Sequence, residues 1–523
     1  MKEANRTTSV MRAAGLVGVA VLLSRVVGLG REIVTRSLLG VTTLEATAYD
    51  IASRFPEAIF LVIAGGAIGS AFIPTFAAYF ARDDEDGAWR LFSAVINLLT
   101  VAVTLIAALT MLLAPQFVRF FFGENLGQEP LLLPLTVRLM RIMLLSPIIF
   151  GVSGVFMGAL NARQHFLLPA LAPTIYNLGI IAGALLLKPT EMGLAWGTVA
   201  GAMGHLLVQL PGLRQKRAQY TAVFTLHDPG VQQVLRLMAP RVLGLSFSEI
   251  NKFVVLFLTG SMPLGSLPAL TTAFRLLIMP QGVLGQALGI AAFPTLAELA
   301  ARSALREMRQ IVVDSLRLVL FLGLPITVLF MLLRQPIITI LFERGLFDAD
   351  DTSLVAVALL FYALGLVALT ALEVIARAFY SLNDTLTPVL AGGVQILLMA
   401  GLSLWLSQRL FPSLGQQPLG GLALGFSISN FAEVGLLLWL LRRKLGGING
   451  RFLLNGLLRM GVASLAMGVG MWGMAQLWQL PSLLLQAIVG TSVGMVIYLG
   501  ASWLLRVEEL TKFVGYGRRL WRR

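Results

Sequence analysis

The chain has 523 residues, of which 57% are hydrophobic and 13% are charged, with a formal net charge of +14. Because so little polar surface cannot coat a water-soluble globule of this size, the composition excludes a soluble domain and favours a protein that lies in a lipid bilayer. The absence of cysteine excludes a disulfide framework, a thiolate metal site and a cysteine nucleophile.

Apolar stretches of about 20 residues or more follow one another along the chain and predict about fourteen membrane-spanning helices. Helices are favoured over strands because the runs are continuous rather than alternating, and a helix satisfies its own backbone groups in hydrocarbon. We place the spans at 11–39, 46–80, 88–114, 130–159, 167–187, 192–212, 231–259, 266–300, 307–333, 351–381, 386–408, 418–441, 453–478 and 481–506. The first span has no small-residue cleavage site after its apolar run, so we expect it to be retained rather than removed as a signal peptide.

Basic residues concentrate in alternate connections between these spans, and this bias predicts the orientation. The side rich in lysine and arginine includes Lys2, Arg6, Arg12, Arg82, Arg90, Arg163, Arg214, Lys216, Arg217, Arg302, Arg306, Arg309, Arg442, Arg443, Lys444, Arg451 and the C-terminal tail. The positive-inside rule therefore predicts that both termini are cytoplasmic. The same bias explains much of the net charge, so nucleic-acid binding is not indicated.

An internal repeat indicates two homologous halves. Pro74 matches Pro294 at an offset of 220 residues, and two further proline-containing segments match in the same order at offsets of 221 and 219. The repeat predicts a first lobe at 1–213 (spans 1–6), a cytoplasmic linker at 214–229, a second lobe at 230–444 (spans 7–12), and spans 13 and 14 with a basic tail at 445–523. Since each half holds an even number of spans, we expect parallel six-helix lobes that rock around a central cavity.

Charged residues inside the predicted spans are the candidate binding residues. A charge near the bilayer centre costs about 2.5–3.5 kcal/mol on insertion scales, so such residues usually face a wet cavity or a partner. Arg25 and Arg31 lie in span one and Arg275 in span eight. Pro280 and Gly282 predict a break in span eight next to Arg275. Converging arginines are suited to phosphate or diphosphate, because the planar guanidinium bonds two oxygens at once and stays charged.

A second set of charged residues is assigned to gating, ion coupling or internal salt bridges, and these alternatives stay open. Asp50, Arg54 and Glu57 share one face of a helix, and Glu249 and Lys252 are three residues apart. Glu433 is isolated in an apolar span and is a candidate for proton or cation coupling. The chain has no phosphate-binding loop of the ATPase type, and its three histidines have no metal-ligand spacing. We therefore expect no cofactor, with a coupling cation of unknown identity.

Six segments carry a resemblance to a known family. They are SRVVGLGREIV at 24–34, SRFPEAIF at 53–60, APTIYNLGII at 172–181, FRLLIMPQGVLGQALGIAAFPTLAE at 274–298, LFERGLFDADDT at 341–352 and ARAFYSLNDTLTPV at 376–389. Together they resemble the MurJ/MviN family of lipid II flippases, within the multidrug/oligosaccharidyl-lipid/polysaccharide exporter superfamily.

The resemblance implies a fourteen-helix fold, a lipid-tail groove formed by the last two helices, and transport of undecaprenyl-diphosphate-linked peptidoglycan precursor across the bacterial inner membrane by alternating access. It also implies that Arg25, Arg31, Arg54 and Arg275 line the cavity, and that cell-wall synthesis proteins are candidate partners. The chain departs from the family pattern at positions where members often carry charged residues: Thr47, Phe60, Gly65 and Ile278.

Two other functions agree less well with the sequence than lipid transport does. A cationic drug exporter would need an acidic cavity, which the arginines of spans one and eight disfavour. A membrane enzyme would need clustered acidic or metal-binding residues, and the run at 83–86 is better explained as a solvated connection. A flippase for another polyprenyl-linked oligosaccharide stays open as an alternative.

Overall fold

The computed structural model describes residues 2–63, 67–127, 129–477 and 481–511, and within these ranges the chain is α-helical without β-strands. The first ten helices are α1 (Lys2–Leu39), α2 (Leu44–Ile63), α3 (Ala67–Phe80), α4 (Glu85–Leu126), α5 (Leu132–Met143), α6 (Leu145–Ala162), α7 (Leu167–Leu186), α8 (Thr190–Leu207), α9 (Leu210–Gln215) and α10 (Pro229–Thr259).

The remaining helices include two π-helical turns, Gly282–Gln286 and Leu406–Leu410. They are α11 (Ser266–Gln281), α12 (Ala287–Ala301), α13 (Leu305–Leu332), α14 (Arg334–Phe342), α15 (Ala349–Leu364), α16 (Leu366–Ser381), α17 (Leu386–Trp405), α18 (Phe411–Ser413), α19 (Pro418–Lys444), α20 (Gly450–Leu477) and α21 (Leu483–Leu504).

The predicted all-α membrane fold is confirmed, because each of the fourteen predicted spans coincides with one helix or with consecutive helices. In the described part of the chain, nine helical segments are long and apolar enough to cross a membrane. A tenth is added if α15 and α16, which are bent by 43° at Gly365, count as one span. The number fourteen itself stays a prediction.

The chain divides into two compact units. The first contains Met1–Pro268 and Arg344–Phe347, and the second contains Ala269–Glu343 and Asp348–Arg523. Helix α10, which we predicted to open the second lobe, therefore groups with the first unit. The lobe boundary at 214–229 was deduced from the sequence repeat and stays a prediction.

Aromatic rings hold α10 against the first unit. Phe253 of α10 lies 5.3 Å from Phe55 of α2 and 6.0 Å from Phe121 of α4, measured between ring centroids. Phe55 also lies 5.0 Å from Phe117. Such tilted and edge-on pairs add to the stabilisation that burial alone gives, so α2, α4 and α10 are joined by one continuous aromatic contact.

Glycines bring α7 and α8 into backbone contact. A Cβ atom at Gly183 would lie 2.5 Å from the Cα of Gly197, and a Cβ atom at Gly179 would lie 2.6 Å from the backbone nitrogen of Gly201. Glycine is therefore required at this interface, in the small-residue pattern by which membrane helices approach closely. The sequence analysis did not single out these residues.

Two other segments of the first unit form hydrogen bonds with α1 and α2 close to the turn that connects these helices. The backbone N–H of Leu346 donates to the carbonyl of Ser37 at 2.8 Å, and the N–H of Gly265 donates to Thr47 Oγ1 at 3.2 Å. Gly265 has a φ of +89° and Gly345 a φ of +67°, values that favour glycine. These two hydrogen bonds therefore hold the connection between α1 and α2 in place.

In the second unit, α20 and α21 pack against α13. The Tyr498 hydroxyl of α21 donates to the carbonyl of Phe321 at 2.6 Å, and Met467 and Met471 of α20 are buried beside them. Arg317 of α13 pairs with Glu509, beyond the end of α21. These contacts connect the last two long helices to the remainder of the unit.

The predicted break in span eight is wrong. The helix continues through Pro280, widens to a π-helical turn at Gly282–Gln286 and resumes as α12. The π turn adds one residue to a helical turn, so the irregularity signalled by Pro280 and Gly282 is absorbed without interrupting the helix.

Candidate functional site

Helix α1 carries two of the predicted substrate-binding arginines. Arg25 is exposed at the protein surface, and Arg31, less than two turns further on, is half-buried. Between them, a Cβ atom at Gly28 would lie 3.6 Å from Nδ2 of Asn177 on α7. Helix α7 therefore covers this part of α1, on the stretch that separates the two guanidinium groups.

Arg31 lies among phenolic side chains. It acts electrostatically on the hydroxyls of Tyr49 on α2 and Tyr176 on α7, and Glu57 of α2 acts on the same two hydroxyls. Tyr49 is buried, and the ring of Tyr176 packs edge-on against Phe150 at 5.1 Å. Three helices thus contribute a cation, two hydroxyl donors and a carboxylate to one neighbourhood of the first unit.

Arg54 lies one turn after Asp50 on α2 and is half-buried. It precedes Pro56, which lies inside the helix, and Glu57 follows three residues after Arg54. Arg54 therefore adds another charged group to α2, the helix that also carries Tyr49.

A buried ion-pair triad joins α1 to α2. Nε of Arg36 lies 2.9 Å from Oε1 of Glu32, and Nη2 of Arg36 lies 2.8 Å from Oδ2 of Asp50. Arg36 is 0% exposed, Glu32 3% and Asp50 1%. Of the alternatives left open for Asp50, the structure contains a salt bridge, but its partner is a cation of α1, 14 residues earlier in the chain, rather than Arg54.

Glu249 and Lys252 form the pair expected from their spacing on α10. Nζ of Lys252 lies 2.7 Å from Oε1 of Glu249, whose side chain is 6% exposed. The pair neutralises a buried carboxylate, and its proposed part in gating stays a prediction.

Arg275 belongs to α11 and lies in the second unit. It is half-buried, and the adjacent Phe274 forms a cluster of three rings with Tyr362 and Phe426, at centroid distances of 5.4–5.6 Å. The aromatic cluster fixes the helix next to this cation. The predicted joint action of Arg275 with Arg25 and Arg31 stays a prediction.

Glu433 lies on α19 beside α17, where a Cβ atom at Gly392 would lie 3.6 Å from its Oε1. Glu433 acts electrostatically on Tyr380, as do Glu373 and Arg377 of α16. Glu373 and Arg377 pair at 3.2 Å. Glu433 therefore shares Tyr380 as a neighbour with the Glu373–Arg377 pair, and its proposed part in coupling stays a prediction.

Sequence reasoning missed Tyr49 and Tyr176 as parts of this site. Tyr176 lies in the segment APTIYNLGII, which drew attention only through its resemblance to the family. Arg36 stands out in the sequence as a charged residue inside span one, but spacing does not indicate its partner, because Asp50 lies on another helix.

Chemically, the Arg31 neighbourhood offers donors to an anion. Guanidinium and phenol groups both donate hydrogen bonds to phosphate oxygens, and charge-assisted bonds are the strongest of these. Among the described residues there is no group of three or more side chains that could bind a metal ion.

One of the three histidines, His205, is buried and forms a hydrogen bond between its Nδ1 and the hydroxyl of Ser153 at 2.6 Å.

The positions where the chain departs from the family pattern serve packing or lie at the surface. Thr47 is buried and bonds Gly265, while the ring of Phe60 packs 4.5 Å from Phe150. Ile278 is exposed. Gly65 lies outside the described residues.

Comparison with known proteins gives a consistent assignment. The family model described as "Lipid II flippase MurJ" matches residues 36–490. A probable lipid II flippase MurJ of Bdellovibrio bacteriovorus is 27% identical over 514 residues, which cover 96% of each chain. A probable MurJ of Rhizobium tropici is 30% identical over 82% of this chain and 80% of its own. The lipid II flippase MurJ of Burkholderia cenocepacia is 29% identical over 72% of this chain and 74% of its own.

Solved structures agree on the fold. A lipid II flippase MurJ in an inward closed conformation superposes with a TM-score of 0.77 at 23% identity, over 94% of this chain and 99% of its own. An inward-facing multidrug resistance transporter of the MATE family superposes with a TM-score of 0.69 at 15% identity, over 81% of this chain and 94% of its own. At these identities the structural likeness defines the fold alone.

Proposed function

This chain belongs to the MurJ family of lipid II flippases, and from that membership we propose that it moves an undecaprenyl-diphosphate-linked peptidoglycan precursor from the cytoplasmic to the outer leaflet of a bacterial inner membrane. The proposed transport proceeds by alternating access. The chain binds and releases the lipid without changing its covalent structure, so we assign it no catalytic residue.

One observation carries the assignment of the binding residues: Arg31 shares its neighbourhood with two phenolic hydroxyls and one carboxylate in the first unit. A diphosphate presents several oxygens that accept hydrogen bonds, and a guanidinium with nearby hydroxyls supplies matching donors. Arg25, Arg31 and Arg54 are the proposed diphosphate ligands of the first unit, and Arg275 is the proposed ligand of the second.

The sign of these charges supports an anionic cargo over a cationic one. Arg25, Arg31 and Arg54 lie on only two helices, and the carboxylates of Asp50 and Glu57 both act electrostatically on Tyr49 beside them. A cationic drug would be repelled by three guanidinium groups. Flipping of another polyprenyl-linked oligosaccharide requires the same diphosphate chemistry and differs only in the sugars, so the experiment below must compare headgroups.

Coupling to an ion gradient is assigned to the carboxylates of the spans. Glu433 is the leading candidate, because it lies in an apolar helix and acts electrostatically on Tyr380, as the Glu373–Arg377 pair of α16 does. Asp50, Glu57, Glu249 and Lys252 are proposed for gating. We propose a coupling cation of undefined identity and no other cofactor.

The location follows from the family and from the distribution of basic residues. We propose a multi-pass protein of the inner membrane with both termini in the cytoplasm, since the positive-inside rule favours that orientation. Membrane lipids surround the apolar helices, and proteins of cell-wall synthesis are the proposed partners.

The function is tested in a bacterial strain depleted of its own lipid II flippase. The chain should restore growth and should restore access of an external lipid II-cleaving toxin to its substrate in the outer leaflet. Cells that carry the empty vector give the baseline signal, which is the amount of lipid II that the toxin cleaves without this chain. The assay reports transport only when the chain raises the signal above that baseline. A chain that is made and inserted yet gives only the baseline signal would contradict lipid II transport. Rescue of a strain lacking a different polyprenyl-oligosaccharide flippase would instead assign the alternative headgroup.

A further inference from the structure

The Glu32–Arg36–Asp50 triad is an almost completely buried group of charges in the first unit. Arg36 is 0% exposed, and its side chain bonds a carboxylate of its own helix and a carboxylate of α2. Leu39, Ala46 and Ile51, which lie near these residues on α1 and α2, belong to a buried apolar cluster. A charge in such surroundings is costly unless it is bonded, so the positions of the three side chains are strongly coupled.

Hydrogen bonds fix the relation between α1 and α2 more sharply than apolar packing does. An apolar contact tolerates small sliding and rotation, whereas Nη2 of Arg36 must remain near Oδ2 of Asp50, at 2.8 Å. Buried polar pairs are known to specify helix register in some proteins, and a pair that links neighbouring helices is suited to this use.

The triad is adjacent in sequence to the proposed diphosphate ligands. Glu32 directly follows Arg31 on α1, and Asp50 directly follows Tyr49 and precedes Arg54 by one turn on α2. Arg31 acts electrostatically on the Tyr49 hydroxyl, across the same pair of helices. A slip of α1 against α2 would therefore change the position of Arg31 relative to Tyr49 and Arg54.

We propose that Arg36 is a positioning residue: through Glu32 and Asp50 it holds α1 and α2 in the register that presents Arg31, Tyr49 and Arg54 to a diphosphate. The inference rests on the proposed function. Arg36 itself is fully buried, so it acts through its neighbours and does not touch the lipid.

Two atoms of the triad show that its bonding is incomplete. Within the described ranges, Nη1 of Arg36 and Oδ1 of Asp50 are buried and have no hydrogen-bond partner. These are the two atoms that a second, parallel bond between a guanidinium and a carboxylate would join. The link between α1 and α2 therefore depends on the single bond between Nη2 of Arg36 and Oδ2 of Asp50.

The test compares register, headgroup binding and folding in the full-length protein. Asp50→Asn and Arg36→Lys keep the size of the side chains and weaken the link, and Arg302→Lys is the matched control, since that arginine is 71% exposed. Binding of undecaprenyl diphosphate is measured in lipid nanodiscs. Because the chain has no cysteine, spin labels at Val26→Cys and Ile59→Cys report the distance between α1 and α2 without background labelling.

We expect both triad variants to remain monodisperse, to bind undecaprenyl diphosphate at least tenfold more weakly and to broaden the α1–α2 distance distribution. Restored affinity in the exchanged variant Glu32→Gln/Arg36→Asp/Asp50→Arg would support positioning further. Unchanged affinity and distance in both single variants, even with a lower melting temperature, would overturn the inference. If the wild-type protein fails to bind undecaprenyl diphosphate, the proposed function fails, and a distance that still broadens shows that the triad nevertheless sets the register.

Discussion

Arg317 on α13 and Glu509, in a short helical turn at 508–511, form a bidentate ion pair in the second unit. Nε of Arg317 lies 2.5 Å from Oε1 of Glu509, and Nη2 lies 2.9 Å from Oε2. The guanidinium also stacks over the ring of Phe452 on α20, 3.7 Å from its centroid. One buried side chain thus joins α13, α20 and the segment that follows α21.

Glu509→Gln should destabilise the second unit, because Arg317 would be left buried without a counter-charge. Removing one partner of a buried pair costs about 3–5 kcal/mol. Thermal unfolding of the purified protein should show a lower melting temperature. The control is Glu508→Gln, which removes an adjacent exposed carboxylate. Equal melting temperatures for both variants would contradict a stabilising role for the pair.

Arg31→Ala should weaken binding of undecaprenyl diphosphate without unfolding the protein. Loss of a hydrogen bond to a charged group costs about 1.5–3 kcal/mol, which corresponds to roughly a tenfold to hundredfold loss of affinity. Arg31→Lys should retain part of the affinity, because an ammonium keeps the charge but not the planar fork. Titration in nanodiscs measures the effect, with Arg302→Ala as a control for net charge. An unaltered affinity in Arg31→Ala would remove this residue from the binding set.

Gly183→Ala should destabilise the first unit, because its Cβ atom would lie 2.5 Å from the Cα of Gly197. Overpacking of this kind costs about 1–3 kcal/mol. At Gly393 on α17 nothing lies within 4 Å of an added Cβ atom, so Gly393→Ala should be neutral or stabilising by up to about 1 kcal/mol. The melting temperatures of the two variants are compared. Similar values would show that α7 and α8 can separate at little cost.

Asp384, in the connection between α16 and α17, should confer a stability that depends on pH. Burial tends to raise the pKa of this carboxyl, but hydrogen bonds from Lys444 and Thr387 outweigh burial and hold the pKa at about 2, below the ordinary 3.8. Since the pKa is lowered by folding, the stabilisation is present above pH 3.8 and is lost as the pH falls towards 2.

Melting temperatures of the wild type and of Asp384→Asn should therefore differ at neutral pH and converge in strong acid. The measurement is a series of melting curves at decreasing pH. A difference that stays constant down to the lowest pH at which the protein is folded would show that the carboxylate charge is unimportant.

Glu433→Gln should remove the coupling of transport to an ion gradient while substrate binding is kept. The amide has the shape of the carboxylate but cannot exchange a proton or attract a cation, so undecaprenyl diphosphate should still bind while flipping loses its response to an imposed ion gradient. Flipping in proteoliposomes is followed with and without a proton or sodium gradient. Glu298→Gln, at a position 58% exposed, is the control. A gradient response equal to that of the wild type would exclude Glu433 from coupling.

The extents of the helices could be predicted from the sequence, but most partners of the charged residues could not. Spacing along one helix identified Glu249 with Lys252, three residues apart, and the structure contains that pair. Spacing also suggested Asp50 with Arg54, whereas the bond formed by Asp50 reaches Arg36 on a different helix. Periodicity reports which residues share a helical face, and it contains no information about which helix packs against that face.

Three further differences between prediction and structure have the same origin. The partner of Arg317 is Glu509, 192 residues later, so no local pattern could have indicated it. Pro280 and Gly282 correctly signalled an irregular helix, but whether a helix breaks or widens to a π turn is decided by the surrounding packing. The phenols around Arg31 come from α2 and α7 and became visible only when those helices were placed.

The glycine contact between α7 and α8 has a mechanical consequence. Backbones that touch along Gly179, Gly183, Gly197 and Gly201 leave no room for a lipid chain to wedge between them, and neither helix can roll on the other without steric overlap. Helices α7 and α8 should therefore move together as one rigid body during each transport cycle. Tyr176 lies on α7 and would move together with this pair of helices, so one of the two phenols that interact with Arg31 belongs to a rigid part of the first unit.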